Sequence, residues 1–388
     1  MNVDILGSID VELEAVGFGM EQVTAYVKKI VNHDSQKADN ILAFVQEHKL
    51  IGGLVRIPIQ LDAICYSWDR AVMSGNEPKT LTSLYQAITL KLWQKDVLKL
   101  GISESETRRH LNEHSIHSLS AYQIQQLAPS EIYLLDIIAF TGIYNEIIEF
   151  NANDRHRIYD SLKYQGIVLP DLPETILRKI SFLHTSDVTF LDADKSCHFL
   201  HPTLQHFFAA RYFAGCWMRH ERLLCIRLRQ QTPNTTFMAP QALLQKEKYS
   251  TRYDTLWRFA AGLLQGVPKA EHEAEEPIQR YFQELAAEPL DLLGSVHHRL
   301  LMNCLGEVVP DVQSNWDREL VEHQIYSWVQ FELNFSNTRL TLPYTEYLDS
   351  HAIKGLGQQP HLPPAILKTC FSSCVMVVEM IKKQLREY

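Results

Sequence analysis

Three stretches of this chain carry side chains at spacings that could do chemistry. His110-Leu111-Asn112-Glu113-His114, with His117 three residues on, matches the H-x-x-E-H metalloprotease signature literally. On a helix it would set three imidazoles along one face, the arrangement a zinc ion takes. A zinc hydrolase also needs a further acidic ligand and a helix stabilised deep in a cleft. This segment is polar and holds Ser115, Ser118 and Ser120, so it reads as a surface helix end and not as a metal centre. Cys370 and Cys374 have a metal-compatible spacing, but no second pair lies nearby, and they read as buried helical thiols. The third stretch runs from Cys197 to Tyr212. A β-compatible run ends in His201, and Pro202 then opens a helix faced by Phe207, Phe208 and Tyr212. Proline suits the first helical position, where its missing N–H costs nothing. His201 is thereby set at a strand-to-helix junction, where its imidazole could donate a hydrogen bond to a phosphate oxygen, more strongly if charged. Its bland alternative is a packed, hydrogen-bonded histidine among phenylalanines.

The elements that would position these residues follow from apolar periodicity. Val11 to Val16 alternates apolar and charged residues as a strand does, and Gly17-Phe18-Gly19 breaks it. Met20 to Val31 has helical spacing, with Val23, Tyr26, Val27 and Ile30 on one face, and Lys37 to His48 predicts a second helix. Pro58 fixes φ and lacks an N–H, so a helix begins there and runs through Trp68, with Arg56 solvated just before it. Thr80 to Leu98 is a further amphipathic helix, and the His-rich segment from Gly101 to about Ser120 is a linker. Beyond Pro129 the pattern predicts a helix at Ser130–Ala139, a strand or connector at Ile143–Phe150 and a helix at Asp154–Leu162. A hairpin over Phe182–His201 turns at Asp192-Ala193-Asp194-Lys195. After Ala214 almost everything reads as helical: Tyr253–Leu264, Ile278–Leu285, His297–Val308, Arg318–Phe331 and Ala365–Leu385. These helices either stack as a superhelix or form one irregular domain; no repeat period is visible. The acidic run Glu271 to Glu276 is a solvated loop.

At 388 residues the chain exceeds what one core serves, so two to three domains are expected. A hydrophobic share of 46% with 21% charged residues describes a globular protein. A net charge of −9 disfavours broad attraction to nucleic acid or anionic lipid, so neither nucleic acid nor membrane is expected as a partner. No run of 18 apolar residues occurs, and the N-terminus lacks signal-peptide features. Seven scattered cysteines read as reduced thiols of a cytoplasmic protein. No Gly-x-Ser-x-Gly elbow or dinucleotide fingerprint is present.

The order Phe199-Leu200-His201, Leu204-Gln205, Phe207-Phe208-Ala209-Ala210 resembles the end of the winged-helix domain in the NACHT/STAND family. That family comprises nucleotide-gated switch proteins among the P-loop ATPases, NOD-like receptors included. Gly17-Phe18-Gly19 and the helix with Tyr26 look like the junction that ends a NACHT nucleotide-binding domain. Arg56 to Trp68 resembles the proline motif of the first helical domain. Tyr253–Leu264 and Glu288–Gly294 look like the all-α segment of fungal members. The resemblance implies a mainly α, multi-domain helical array with a central winged-helix domain carrying a small β-hairpin. Residues 1–19 would be the last strand of the nucleotide-binding domain, 20–115 a first helical domain, 116–215 the winged helix and 216–388 a second helical domain. It further implies that His201 reaches the β-phosphate of ADP and that Pro58 packs on adenine.

Hydrolysis in that family needs a glycine-rich loop ending in Gly-Lys-Ser/Thr and a strand ending in paired acids. This sequence has no Gly-Lys dipeptide. The chain is therefore expected to be a regulatory portion without catalytic residues and without a metal. It would hold no nucleotide alone, meeting ADP or ATP only in the complete architecture. Expected partners are proteins: upstream nucleotide-binding and effector domains, and other copies of itself. Three readings compete with this one. They are a helical adaptor that never meets a nucleotide, a DNA-binding winged helix using Arg155, Arg157 and Lys163, and a zinc hydrolase at His110.

Overall fold

The computed structural model describes residues 17–31, 34–47, 55–58, 80–100, 116, 119–167, 176–177, 179–185, 196–229, 234–267, 275–291, 295–309 and 318–335, together with Leu61, Asp62, Ile64, Cys65 and Trp68. They are mainly helical, with two small antiparallel sheets. The strand expected at Val11–Val16, the histidines from His110 to His117, the hairpin turn at 192–195 and the helix expected at Ala365–Leu385 with Cys370 and Cys374 lie outside the described residues. The chain divides into two compact units, Met1–Asp69 and Arg70–Tyr388.

In the first unit, helices α1 (Met20–Ile30) and α2 (Ser35–Glu47) form where apolar spacing predicted them. Lys28 and Lys29 in the last turn of α1 suit the negative end of its dipole. Gly17 has φ +75°, and a Cβ there would lie 2.5 Å from the Arg56 carbonyl, which accepts from Phe18 N at 2.6 Å. Only glycine fits that approach. Pro58 and the described residues out to Trp68 have helical backbone. The Tyr26 hydroxyl donates to Asp62 at 2.7 Å, and Trp68 meets Phe44 edge-on at 5.1 Å.

The second unit begins with α3 (Leu81–Leu100), α4 (Ala121–Leu127) and α5 (Pro129–Asn145). Strand β1 (Glu149–Phe150), helix α6 (Ala152–Tyr164) and strands β2 (Leu183–Thr185) and β3 (Cys197–Phe199) follow. The three strands pair antiparallel in the order β1-β3-β2. Helix α5 overruns the end expected at Ala139 and leaves a strand of only two residues where 143–150 was expected. Gly142 looks like a weak helical position, yet here it lets the helix approach its neighbours. A Cβ would fall 2.1 Å from Gln205 Nε2 and 2.6 Å from the Phe150 ring. The helix stops instead at Glu146, in the left-handed region at φ 58°. α5 is apolar nearly all round, which marks a central helix.

Helix α7 (Pro202–Arg219) is the second central element. Phe207, Phe208, Phe213 and Trp217 are all fully buried on it. Their rings meet Tyr85, Phe182, Trp257, Phe259 and Tyr281 at 4.9–6.5 Å. α7 runs without a break past Ala214. The expectation of almost nothing but helix beyond it missed a hairpin of β4 (Leu223–Arg227) and β5 (Asn234–Met238). Leu223 to Ile226 is buried on both strand faces. Such a short apolar run has no alternation to tell strand from helix. α8 (Pro240–Glu247) was also not foreseen; α9 (Asp254–Leu264), α10 (Pro277–Ala286), α11 (Ser295–Leu305) and α12 (Arg318–Phe335) match expected helices.

Candidate functional site

His201 sits between β3 and α7 as the helix N-cap, with extended backbone at φ −149° and ψ 142°. Leu200 N bonds to the Phe182 carbonyl at 3.0 Å, which ties the end of β3 to the segment entering β2. Pro202 then occupies the first helical position. A cap needs a side-chain acceptor for an orphan N–H, and here imidazole supplies it: His201 Nδ1 accepts from Thr203 N at 3.1 Å. A neutral ring that accepts at Nδ1 carries its proton on Nε2, so Nε2 is the donor.

Burial holds the His201 pKa below its ordinary value. His206, farther along the same helix, is pushed down to about 4, mainly by burial and also by His201. Its Nδ1 is buried with no hydrogen-bond partner among the described residues. Both imidazoles are therefore neutral at pH 7. The charge-assisted contact considered from sequence gives way to a neutral donor, because burial penalises the cation.

Three contacts brace this cap, and the sequence disclosed none of their roles. The Thr203 side chain hydrogen-bonds the Tyr85 hydroxyl. Gln205, buried, donates to the Ile147 carbonyl at 2.9 Å and fixes α7 against the end of α5. Arg211 grips Asp136 on α5 through Nε at 2.9 and 3.1 Å and Nη2 at 2.8 Å, with its guanidinium 4.8 Å above the Phe208 ring. Burial raises the Asp136 pKa to about 6, against the opposing pull of Arg211. The only trace of this pair in the sequence is a lone aspartate inside an apolar helix.

Pro58 is exposed, at the start of the helical backbone in the first unit. Arg56 beside it is exposed too, as expected, and acts structurally through its carbonyl. Pro58 and His201 thus belong to different units.

Arg155, one of three cations weighed for nucleic acid, is buried and donates to the Phe150 carbonyl at 3.1 Å. It is spent inside the fold. A cavity of about 390 Å³ opens beside β1, lined by Glu146, Glu149, Asn151, Ser196 and Arg229 among others. Arg229 is bound to Asp154 at 2.8 Å and the remaining charges there are acidic, so the cavity does not suit phosphate. Among the described residues, no group of three His, Cys, Asp or Glu is placed to hold a metal ion. Cys65, Cys197, Cys216, Cys225 and Cys304 are free and buried, and burial pushes the Cys216 and Cys225 thiols up to about 11. No single helix among the described residues is long and apolar enough to cross a membrane.

No curated protein matches the chain. Residues 36–80, a stretch that contains Pro58, match a family described as a domain of unknown function (DUF7068).

Proposed function

We propose that this chain is the regulatory portion of a NACHT/STAND-type nucleotide-gated switch, which senses bound ADP or ATP through a winged helix and controls oligomerisation. Alone it hydrolyses nothing. The observation that carries the reading is the capped junction at His201. Its Nδ1 is occupied by Thr203 N, which commits Nε2 to donating, the polarity a phosphate oxygen requires. The order of elements supports it further: helix α5, strand β1, helix α6, then antiparallel β2 and β3 in a β1-β3-β2 sheet. We read this order as that of a winged helix, with His201 following its last strand. In this reading the phosphates are cradled by a P-loop domain supplied from elsewhere.

The test supplies a P-loop-bearing NACHT domain in trans and measures its association with this chain, with and without MgADP. ADP should promote association, and His201→Ala should weaken it by roughly tenfold, the worth of one hydrogen bond to a charged group. Association that ignores both nucleotide and His201→Ala would overturn the reading and leave a nucleotide-independent helical adaptor.

A further inference from the structure

Helix α3 is held in its seat by polar groups at both ends, and each is built in an unusual way. At the N-terminal end, Thr80 and Ser83 cap the helix locally: Ser83 N donates to Thr80 Oγ1 at 3.1 Å and Thr80 N to Ser83 Oγ at 3.0 Å. The next orphan donor, Thr82 N, is satisfied from 225 positions away. Both Thr82 N and Thr82 Oγ1 donate to Glu307 Oε2 at 2.9 Å. Glu307 is buried just after α11, and its other oxygen accepts from Arg258 Nη2 at 3.0 Å. Gly262 makes room for the contact, since a Cβ there would fall 2.2 Å from Thr82 Oγ1. At the other end, buried Asp96 accepts from Ser181 N at 2.6 Å and from Ser181 Oγ, and also from Lys99 Nζ at 3.2 Å.

The charges divide in a telling way. Glu307 and its cation Arg258 both belong to the body formed by α9 and α11, whereas Asp96 and its cation Lys99 both belong to α3. Withdrawing α3 therefore leaves each carboxylate with its own counter-ion, and the partners it parts are neutral: Thr82, Ser181, the Tyr85–Thr203 pair, and Gln94, which donates to the Leu119 carbonyl at 2.9 Å. A buried pair whose two charges sat on opposite sides would instead part both from their counter-ions on separation. The seat is also imperfect. Trp93 Nε1 and Gln94 Oε1 on α3 are buried without a hydrogen-bond partner among the described residues, and both would gain one from solvent on leaving. Apolar contact still favours the docked form, chiefly Tyr85 against Phe207 and Phe259 and Trp93 against Phe182, with ring centroids 5.1–5.9 Å apart.

We propose that α3 is a detachable arm of the second unit, and that Glu307 is the latch that holds its N-terminal end closed through Thr82. The proposal does not rest on the nucleotide reading, and its test uses the full chain with no nucleotide present. Hydrogen exchange is followed in α3, α5 and α7 of the parent chain and of Thr82→Val, which keeps the shape and the Arg258–Glu307 pair but removes one donor. Exchange in α3 of the parent should outpace that in α5 and α7. Thr82→Val should speed α3 by about a further tenfold while leaving α5 and α7 within twofold. Asp96→Asn, read the same way, should act at the other end with the same selectivity. If α3 exchanges in step with α5 and α7, or if both variants speed all three equally, the contacts are plain global stabilisers and the proposal fails.

Discussion

His206 shows how one residue sets a pH limit for the molecule. Its ring titrates near 6.5 in an unfolded chain and near 4 in the fold, mainly because burial disfavours the cation. The fold thus prefers the neutral ring. Its contribution is complete above pH 6.5 and is lost as the pH falls toward 4. Between pH 7 and pH 5 this amounts to about 2 kcal/mol. Asp136 works in the opposite sense: with its pKa raised to about 6, it favours the fold at low pH and loses that contribution as the pH rises through 6. His297 is also pushed down to about 4, mainly by burial, so His206→Leu should remove about half of this acid-side loss. Urea denaturation at pH 5 and pH 7 reads this: the parent should be weaker at pH 5, and the variant should lose less stability between the two pH values; an unchanged loss would overturn the role given to His206. The position of His201 was legible because Pro202 announces a helix start. Its bracing was not, because Gln205 with Ile147 and Arg211 with Asp136 are pairs 58 and 75 residues apart that leave no local spacing.

Among the elements, periodicity located α1, α2, α3, α9, α10, α11 and α12 closely, since each has an apolar face bounded by breaks. It failed where a segment is buried on every side. α5 has no polar face to give its length away, and β4 has no alternation. Gly142 illustrates the conflict between propensity and packing. In an exposed helix Gly→Ala gains up to about 1 kcal/mol. At this site the new methyl meets the Phe150 ring, the Gln205 amide and the Ile147 carbonyl inside 2.9 Å. Gly142→Ala should instead destabilise by about 2 kcal/mol or more, read as a fall of several degrees in Tm. A rise in Tm would show that α5 and α7 are less tightly opposed than described. The hairpin also has a chemical asymmetry. The outer backbone of β4 is occupied by side chains: Leu224 N donates to the Tyr212 hydroxyl, while Asn145 bridges the Ile226 carbonyl and Leu228 N. Tyr212 and Asn145 thereby finish an edge that strands would otherwise cover.

For the whole molecule, the division at Asp69 falls inside the stretch matched by the uncharacterised family, which spans 36–80. The second unit has its own aromatic core along α7, and its N- and C-terminal parts are joined by Glu307 and Thr82. A chain of residues 70–388 should accordingly fold alone and unfold as one cooperative transition, with near-ultraviolet dichroism like that of the same residues in the full chain. Loss of that signal on removing residues 1–69 would show that the division does not mark an independent folding unit. Amphipathic spacing conveyed the helical class, but division into units depends on contact between distant segments, which composition does not encode.

α7 is a rod about 27 Å long, capped by an imidazole at one end and, near the other, anchored through Trp217 Nε1 to the Pro277 carbonyl at 3.2 Å. Rods transmit tilt. Pivoting it by about 10° at the capped end would sweep the distant indole through roughly 4 Å, far enough to break that anchor and shift α10. Whatever touches the imidazole is thus geared mechanically to a tryptophan about four and a half turns and twenty-odd ångströms away, whose emission colour would report it.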